Sequence, residues 1–432
     1  MKKESMAVRI GLDDTDHPDS GCTTYSFDSL LKELSKIEGV KVRERMLVRL
    51  WPYASRRTRG NGALSARIDI LSTSKEEFMI TCSAWFDELM SDISNLPDDQ
   101  NSPSPALLIS FGKVPEKWYW EAVRGQVRLE HREEEVTASG ITVLSHPNKW
   151  GIIGASAAIS WRPPRNHSWE LVAWRKTELI GSKRIVSKNS VMKLSELFPD
   201  TFLNRDPTAD KGIIAPRTPC PVLYGIRGAN QEAIEAAHSW LQDIASNEKC
   251  DLWASHLSNQ LSDDHLSGPS RGTVISEPSV TKGAHASLRV ISEGSGETLV
   301  AFSEGGPVNR LLRQLSPGDL VSWMGLRSPD ESIHLEKLKI VSASPRITSR
   351  PTCCGKTMRS KGRNQDLSCD KCKRKTPKYW LSEEWSPDVT ITFDGWTQPP
   401  PSQRRHLSMP LEHGIPAYVG IYLILLSDRH GH

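Results

Sequence analysis

The sequence predicts a multidomain protein of mixed α/β and α+β class that ends in a small β barrel and a cysteine-containing module. Its 432 residues suit two to four domains at roughly 100–200 residues each. Helical and strand-like apolar spacings alternate in the first part, whereas short strand patterns and four clustered cysteines follow. The predicted order is an α/β region at 1–259, a linker at 260–270, the barrel at 271–344, a basic cysteine module at 345–378 and an arm at 379–432.

The first predicted element is a half-buried strand in which Val8, Ile10 and Leu12 alternate before the acidic residue Asp13. A helix follows over 27–37, where apolar residues recur every three or four positions. Ser74 forms a capping-box pattern with Glu77 and predicts the start of a second helix. Predicted strands lie at 42–50, 64–71 and 106–111, with a glycine- and arginine-rich loop at 56–62.

The rest of the α/β region continues the same alternation. Glycine and alanine spacing predicts a closely packed helix at Gly151 to Trp161, and Trp169 to Trp174 alternates like a strand. Pro221 to Gly225 leads a strand into a helix that begins near Asn230. These patterns favour ferredoxin-like units within the α/β region.

The segment 271–344 contains five short strand patterns with a possible helix between the third and the fourth. The strands are 271–277, 285–293, 298–302, 320–325 and 334–340, and the helix is 308–315. This order fits a Greek-key barrel of the oligonucleotide-binding type, the OB-fold. Another small β barrel or sandwich is the alternative.

Charge is distributed unevenly although the formal net charge is only +3. Residues 346–378 contain eleven Lys and Arg against two Asp, and residues 41–67 contain eight against one Glu. Such blocks are typical of surfaces that contact phosphate backbones, although a solvated basic face is the alternative.

Composition and apolar patterning exclude a membrane-spanning protein. The longest apolar stretch, Tyr418 to Leu426, has nine residues, whereas a span needs about twenty. The first ten residues contain no apolar segment of a secretory signal. We therefore expect a cytoplasmic protein without a membrane partner, and no protein partner is implied.

Three carboxylates, those of Asp13, Asp14 and Asp16, follow the first strand within four residues. Like charges so close together require a cation, and carboxylates with nucleotide phosphates suit magnesium. The next helix opens with residues whose amides and hydroxyls suit a phosphate: Gly21, Cys22, Thr23 and Thr24. The alternative is a plain strand end followed by a helix cap.

Four of the eight cysteines, Cys353, Cys354, Cys369 and Cys372, lie within twenty residues. The second pair has the C-x-x-C spacing of a zinc ribbon, but the first pair is adjacent. Adjacent cysteines can share one ion only if the backbone between them is rearranged. A metal-free β hairpin is the alternative, and we expect the other four cysteines to be free thiols.

Six ordered segments and the cysteine cluster together resemble the archaeal agmatidine synthetases that act on isoleucine tRNA. The segments are Gly11 to Tyr25, Leu47 to Ala63, Gly151 to Ile159, His167 to Arg175, Pro221 to Gly228 and Pro400 to Leu411. The resemblance implies an ATP-dependent ligase that attaches agmatine to the wobble cytidine of the AUA-decoding isoleucine tRNA with a CAU anticodon. It implies phosphorylation of the 2-keto oxygen of the base, with AMP and pyrophosphate as products.

The resemblance also implies residue roles. In this family a kinase-like catalytic domain is interleaved with a ferredoxin-like domain, and an OB-fold and zinc ribbon follow. The aspartates of the turn would hold magnesium and ATP phosphates, and Thr23 would take part in phosphoryl chemistry. Arg59, Asn61 and Arg227 would contact phosphate or nucleotide, unless the arginines only pair with neighbouring carboxylates. The basic residues expected to bind tRNA are Arg359, Lys361, Arg363, Lys373, Arg374, Arg404 and Arg405.

One position of the sequence departs from the family pattern. Cys220 stands where the family has an aspartate, so a role of that aspartate toward agmatine does not transfer to this chain.

A non-catalytic nucleic-acid-binding module is the rival function. Three carboxylates at the mouth of a site would repel phosphates unless magnesium were present, which favours the enzyme. A protein kinase is a weaker rival because its glycine-rich and catalytic-loop signatures are missing from the sequence.

Overall fold

A computed structural model of the chain describes residues 4–17, 21–57, 60–96, 102–389 and 393–416. The chain forms two compact units, the first at 1–267 with 400–410 and the second at 268–399 with 411–432. This division lies inside the predicted 260–270 linker and places part of the predicted arm in the first unit. Arg59 and the apolar stretch Tyr418 to Leu426 lie outside the described residues. Within the described ranges, the helices are too short or too polar to span a bilayer.

The first unit alternates strands and helices as the sequence predicts. In chain order its elements are β1 Ser5–Asp13, α1 Thr23–Leu34, β2 Val40–Arg49, β3 Gly62–Leu71, α2 Lys75–Ile93, β4 Ala106–Ser110, α3 Lys117–Arg124, α4 Leu129–Ala138, β5 Thr142–Ser145, α5 Gly151–Ser160, β6 Ser168–Trp174, α6 Lys188–Leu197, β7 Thr201–Phe202, β8 Arg205–Asp206, β9 Lys211–Gly212, β10 Val222–Gly228, α7 Gln231–Asp243 and β11 Leu252–Ser258. Every strand and helix that was predicted in this region is present, and the mixed α/β class is confirmed.

One nine-stranded sheet runs through this unit in the order β5-β4-β1-β3-β2-β11-β6-β10-β7. Its neighbours pair antiparallel except at β2 and β11, which pair in parallel at Met46 with Leu257 and Leu47 with Ser258. That pairing joins the strands of the first 145 residues to those that begin at residue 168 or later. Strands from both parts of the first unit therefore belong to one hydrogen-bonded sheet.

Alternation along β1 explains how the sheet is covered. Val8, Ile10 and Leu12 are buried in one apolar core with residues of α1 and α2. A side chain at Gly11 would point to the other face of the sheet. A Cβ atom there would lie 2.5 Å from the carbonyl oxygen of Ala155 in α5. Since side chains alternate between faces, Asp13 at the end of β1 shares the α5 face.

The start of α2 differs from the capping box that the sequence predicts. Ser74 occupies the N-cap position, but its side chain makes no capping hydrogen bond. Instead its hydroxyl donates to the carbonyl oxygen of Glu38 at 2.6 Å. The serine thus connects α2 to the loop after α1, a tertiary contact that the local pattern could not show.

The second unit combines a barrel with small ribbons. Its elements are β12 Ser270–Val274, β13 Ser279–Val280, β14 Ala286–Ser292, β15 Ser295–Ala301, α8 Pro307–Leu312, β16 Leu320–Arg327, β17 Ile333–Ser342, β18 Arg346–Ser349, β19 Thr352–Cys353, β20 Lys356–Thr357, β21 Arg359–Ser360, β22 Leu367–Ser368, β23 Lys375–Thr376, β24 Leu381–Glu383 and β25 Trp396–Thr397. The five predicted barrel strands and the predicted helix between the third and fourth are all present.

Pairing closes the barrel. Hydrogen bonds link β12, β16, β17, β15 and β14 in that order, and β14 pairs again with β12. The β15–β17 pair is parallel and the other four pairs are antiparallel. Apolar residues of all five strands and of α8 fill the interior.

Candidate active site

The turn after β1 directs three carboxylates into one cleft. Asp13, Asp14 and Asp16 line a cleft of about 810 Å³. Asp14 has a φ of +58°, in the left-handed region that aspartate adopts more readily than most residues. That backbone conformation turns the chain sharply at the end of the strand and lets carboxylates on both sides of the turn face the same space.

Electrostatics of the turn favour a bound cation. Burial raises the pKa of Asp13 well above its usual range, and the Asp14 carboxylate raises it further. Burial also raises the pKa of Asp14 to about 7, although Arg56 opposes this shift. Carboxyl groups whose charged forms are disfavoured in this way are stabilised by a divalent cation with oxygen ligands. The donor set therefore fits the magnesium predicted from the sequence.

Helix α5 approaches the acidic turn closely because its first turn contains two glycines. A Cβ atom at Gly151 would lie 2.5 Å from the backbone nitrogen of Ala106 and 2.8 Å from the carbonyl oxygen of Asp13. A Cβ atom at Gly154 would lie 1.9 Å from Oδ2 of Asp13. The glycines of this predicted helix thus allow α5 to pack against the site.

The start of α1 meets the turn through Thr23. Its hydroxyl donates to Oδ1 of Asp16 at 2.9 Å, and both residues are buried. Thr24 is engaged elsewhere, since its hydroxyl accepts a hydrogen bond from Nε1 of Trp174 at 3.0 Å and contacts the Cys22 thiol at 2.9 Å. Gly21 adopts a φ of +71°, which a glycine accommodates without strain.

A second cleft, of about 1140 Å³, adjoins the first. Cys22, Thr23 and Thr24 line it, and Asp16, Asn61 and Gly62 line both clefts. Asn61, a predicted phosphate contact, has a φ of +42° and donates from Nδ2 to the carbonyl oxygen of Trp51. The acidic turn therefore lies in the first cleft and reaches the second through Asp16.

The wall of the second cleft includes a cluster of three charged residues, of which the sequence predicted one. Arg227, predicted as a nucleotide contact, lies there with Arg49 and Glu170. Glu170 accepts hydrogen bonds from Nη2 of Arg49 at 3.1 and 3.2 Å. Both missed residues lie in the segments that carry the family resemblance, but no spacing rule indicated that they meet.

Cys220 also lines the second cleft. Nη2 of Arg184 donates to its carbonyl oxygen at 2.8 Å and lies 3.3 Å from its sulfur. At this position the cleft therefore presents a thiol next to a guanidinium, where the family has a carboxylate. Together with Cys22, Cys82 and Cys250 it is a free thiol, as predicted.

The four clustered cysteines meet in the second unit. Their sulfur atoms all lie within 4.8 Å of one another. Tetrahedral zinc with bonds of about 2.3 Å places its sulfurs about 3.8 Å apart. Cys354 has a φ of +51° and Gly355 a φ of +75°, which is the rearranged backbone that lets adjacent cysteines face one point. The cluster can hold a metal ion.

The residues predicted to bind tRNA divide between the two units. Arg359, Lys361, Arg363, Lys373 and Arg374 are exposed around the cysteine cluster. Arg404 and Arg405 belong to the first unit. Nη2 of Arg405 donates to the Tyr53 hydroxyl at 2.6 Å, and its guanidinium lies 4.8 Å from the centre of the Tyr53 ring.

Comparison with known proteins finds matches over both parts of the first unit. A family model described as the TiaS TCKD domain matches residues 9–148, and one described as the TiaS FLD domain matches residues 149–265. TiaS of Methanocaldococcus jannaschii, a 2-agmatinylcytidine synthetase named for isoleucine-2 tRNA, is 32% identical, over 93% of this chain and 98% of its own. The protein of the same name from Pyrococcus horikoshii is 31% identical, over 94% and 97%.

Solved structures resemble nearly the whole chain. The crystal structure of TiaS in complex with isoleucine-2 tRNA and ATP is similar with a TM-score of 0.79 at 29% identity, over 95% of this chain and 98% of that chain. The complex of TiaS with the same tRNA, AMPCPP and agmatine has a TM-score of 0.76 at 27% identity, over 95% and 98%. The first family model includes the acidic turn, and the second includes Glu170 and Arg227.

Proposed function

The chain belongs to the TiaS family of ATP-dependent 2-agmatinylcytidine synthetases of isoleucine-2 tRNA, and from this membership we propose that it attaches agmatine to the wobble cytidine of the isoleucine tRNA with a CAU anticodon. One observation carries the proposal: three carboxylates line the first cleft, and one of them, that of Asp16, also lines the adjoining second cleft. A reaction between ATP and a nucleotide of RNA needs two such adjoining spaces with a shared cation site.

We infer that ATP occupies the first cleft with its phosphates toward the acidic turn. Asp13 and Asp14 would hold magnesium, which neutralises phosphate charge during phosphoryl transfer. Trp51 and Trp150 line the same cleft and offer stacking surfaces for the adenine ring. The triphosphate would extend toward the second cleft. There it would contact the remaining predicted phosphate-binding residues of the described chain, Gly21, Cys22, Thr24 and Asn61.

The target cytidine would enter the second cleft, flipped out of the anticodon loop. Its 2-keto oxygen is a poor leaving group, and phosphorylation converts it into a good one. The primary amine of agmatine then bonds to C2 and loses a proton, and the bond between C2 and the oxygen breaks. Since AMP and pyrophosphate together contain all three phosphorus atoms of ATP, the oxygen leaves in one of these two products. AMP and pyrophosphate are the products that we expect.

We infer that Thr23 takes part in this phosphoryl chemistry. Its hydroxyl donates to Asp16, whose carboxylate lines both clefts. A carboxylate at hydrogen-bond distance can accept the hydroxyl proton. Thr23 would therefore act as a phosphoryl acceptor or as a hydrogen-bond donor to a phosphate, and Asp16 would activate it.

The second unit would deliver the tRNA. We infer that its barrel is an OB-fold, because strands β12, β14, β15, β17 and β16 close a ring in the Greek-key order of that fold, with α8 in the expected place. The cysteine cluster would hold structural zinc. Its exposed basic residues suit phosphate contacts, and tRNA as substrate implies action in the cytoplasm.

The experiment that tests this function is mass analysis of nucleosides from isoleucine tRNA after incubation with the full-length protein, magnesium, ATP and agmatine. We expect cytidine carrying agmatine, and no such product when ATP or agmatine is omitted. Asp14→Asn is the matched inactive variant. A tRNA with a different anticodon controls for specificity. Unmodified cytidine in every reaction of a folded, tRNA-binding protein would reject the proposal.

A further inference from the structure

A charged cluster, Arg49, Glu170 and Arg227, lies on the wall of the second cleft. Of the three, only Arg227 was predicted from the sequence to contact phosphate or nucleotide, and no step described above uses the cluster as a unit. We propose that it is a preformed site for a phosphate group. The phosphate would come from the RNA backbone beside the target nucleotide or from the terminal phosphate of ATP. The proposal rests on the proposed function for the identity of these ligands, but the cluster itself rests on geometry alone.

The carboxylate at the centre of the cluster is fully engaged by protein donors. The side chain of Glu170 is 3% exposed. It accepts two hydrogen bonds from Nη2 of Arg49 and one from Nε2 of Gln260. Although burial alone would raise the pKa of Glu170, Arg49 and Arg227 hold it at about 2. The group is therefore a fixed negative charge that orients its partners and does not itself bind an anion.

The cluster carries more positive than negative charge. Two guanidinium groups face one carboxylate, and Nε of Arg227 lies 3.7 Å from Oε1 of Glu170. The two arginine side chains are only 15% and 12% exposed. An unmatched positive charge in so little water is unfavourable until an anion binds. The balance of charge thus selects an anionic ligand.

Donors in the cluster remain available to that ligand. Nε of Arg49 and Nε of Arg227 are buried, and no described residue offers either of them a hydrogen-bond acceptor. At 3.7 Å the Arg227 contact with Glu170 is an ion pair and exceeds hydrogen-bond length. The planar fork of an arginine matches two phosphate oxygens at once. Arg227 is therefore the residue that would bind the phosphate most directly.

Two glycines keep the cluster open. A Cβ atom at Gly60 would lie 2.6 Å from Nη1 of Arg49, and one at Gly225 would lie 3.1 Å from Oε1 of Glu170. Both glycines line the second cleft. Any larger residue would fill the space in front of the charged groups, so the backbone here leaves the cluster accessible from the cleft.

The test compares the full-length protein with three variants. Arg227→Gln removes the charge and the fork, and Arg227→Lys keeps the charge alone. Arg128→Gln is the control, because that arginine is 84% exposed and lies outside both clefts. One arm measures affinity for magnesium AMPCPP without RNA. The other measures affinity for isoleucine tRNA without nucleotide across a range of salt concentrations.

An RNA phosphate as ligand predicts that Arg227→Gln weakens tRNA binding about tenfold and reduces the salt slope by about 0.7–0.9, with AMPCPP binding unchanged. A terminal ATP phosphate predicts the reverse, with about tenfold weaker AMPCPP binding. Both affinities within twofold of the wild type in folded Arg227→Gln would overturn the site.

If Arg227→Gln does not fold, Arg227→Lys and the wild type decide the question. Wild-type affinities in Arg227→Lys, together with no rise of the wild-type melting temperature on adding inorganic pyrophosphate, would also overturn the site. Weaker binding in Arg227→Lys, or a rise with pyrophosphate that this variant lacks, supports it. None of these measurements needs turnover. A wild type that binds phosphate at Arg227 but transfers no agmatine would reject the proposed function and keep the site.

Discussion

Replacing Gly154 by alanine should impair catalysis without unfolding the protein. The added Cβ atom would lie 1.9 Å from Oδ2 and 2.5 Å from Cγ of Asp13. Ordinary contacts between such atoms are about 3.5 Å, so the carboxylate must move by more than an ångström. The clash falls on the end of a side chain rather than on the backbone, and the first β strand can stay in place.

The size of the effect follows from what the carboxylate does. A misplacement of about 1 Å in a reacting site costs on the order of 100-fold in rate. Alanine is favoured over glycine within a helix by about 1 kcal/mol, which offsets part of the strain. We therefore expect single-turnover agmatine transfer to fall about 100-fold in Gly154→Ala while the melting temperature stays within a few degrees.

Two matched variants make the assay specific. At Gly151 the same substitution would meet backbone atoms of Ala106 and Asp13, so Gly151→Ala should lower the melting temperature itself. At Gly112 a Cβ atom would meet nothing within 4 Å, so Gly112→Ala should behave as the wild type. Normal transfer and normal magnesium-ATP binding by Gly154→Ala would refute the argument that α5 holds the Asp13 carboxylate in place.

Three further outcomes are expected. Thr23→Ala should abolish transfer if its hydroxyl takes part in phosphoryl chemistry. Thr23→Ser keeps the hydroxyl that donates to Asp16 and should retain most activity. If Thr23→Ala is as active as an active Thr23→Ser, the threonine has only a structural role. Cys372→Ser should release bound zinc and weaken tRNA binding while the first unit melts normally, because metal binding stabilises so small a fold; elemental analysis that finds no zinc in the wild type would contradict this. Burial lowers the pKa of His238 from 6.5 to about 4. Because the unfolded chain then binds a proton that the folded protein does not, the free energy of unfolding falls by up to about 3 kcal/mol as the pH drops from 6.5 toward 4. His238→Gln should lose stability less steeply over that window in denaturant titrations, and an unchanged slope would show that His238 is not the group that titrates.

Much of the fold was predictable because its determinants are local. Alternation at Val8, Ile10 and Leu12 reflects one buried face of a strand, and the apolar spacing after Phe27 reflects one buried face of a helix. The five barrel strands were predictable for the same reason. The capping box at Ser74 was the exception, because the serine hydroxyl bonds instead to Glu38, which is remote along the chain.

The candidate site divides in the same way. The order of the residues was enough to predict the acidic turn, the helix start at Thr23 and the cysteine cluster, because each consists of residues that lie close together along the chain. Folding brings Arg49 to Glu170, which are 121 positions apart, and packs Gly154 against Asp13. Such contacts arise where β2 pairs with β11 and where α5 crosses β1, and a linear pattern contains no record of which strands become neighbours. Periodicity specifies which face of an element is buried, whereas the packing of whole elements decides what lies against that face.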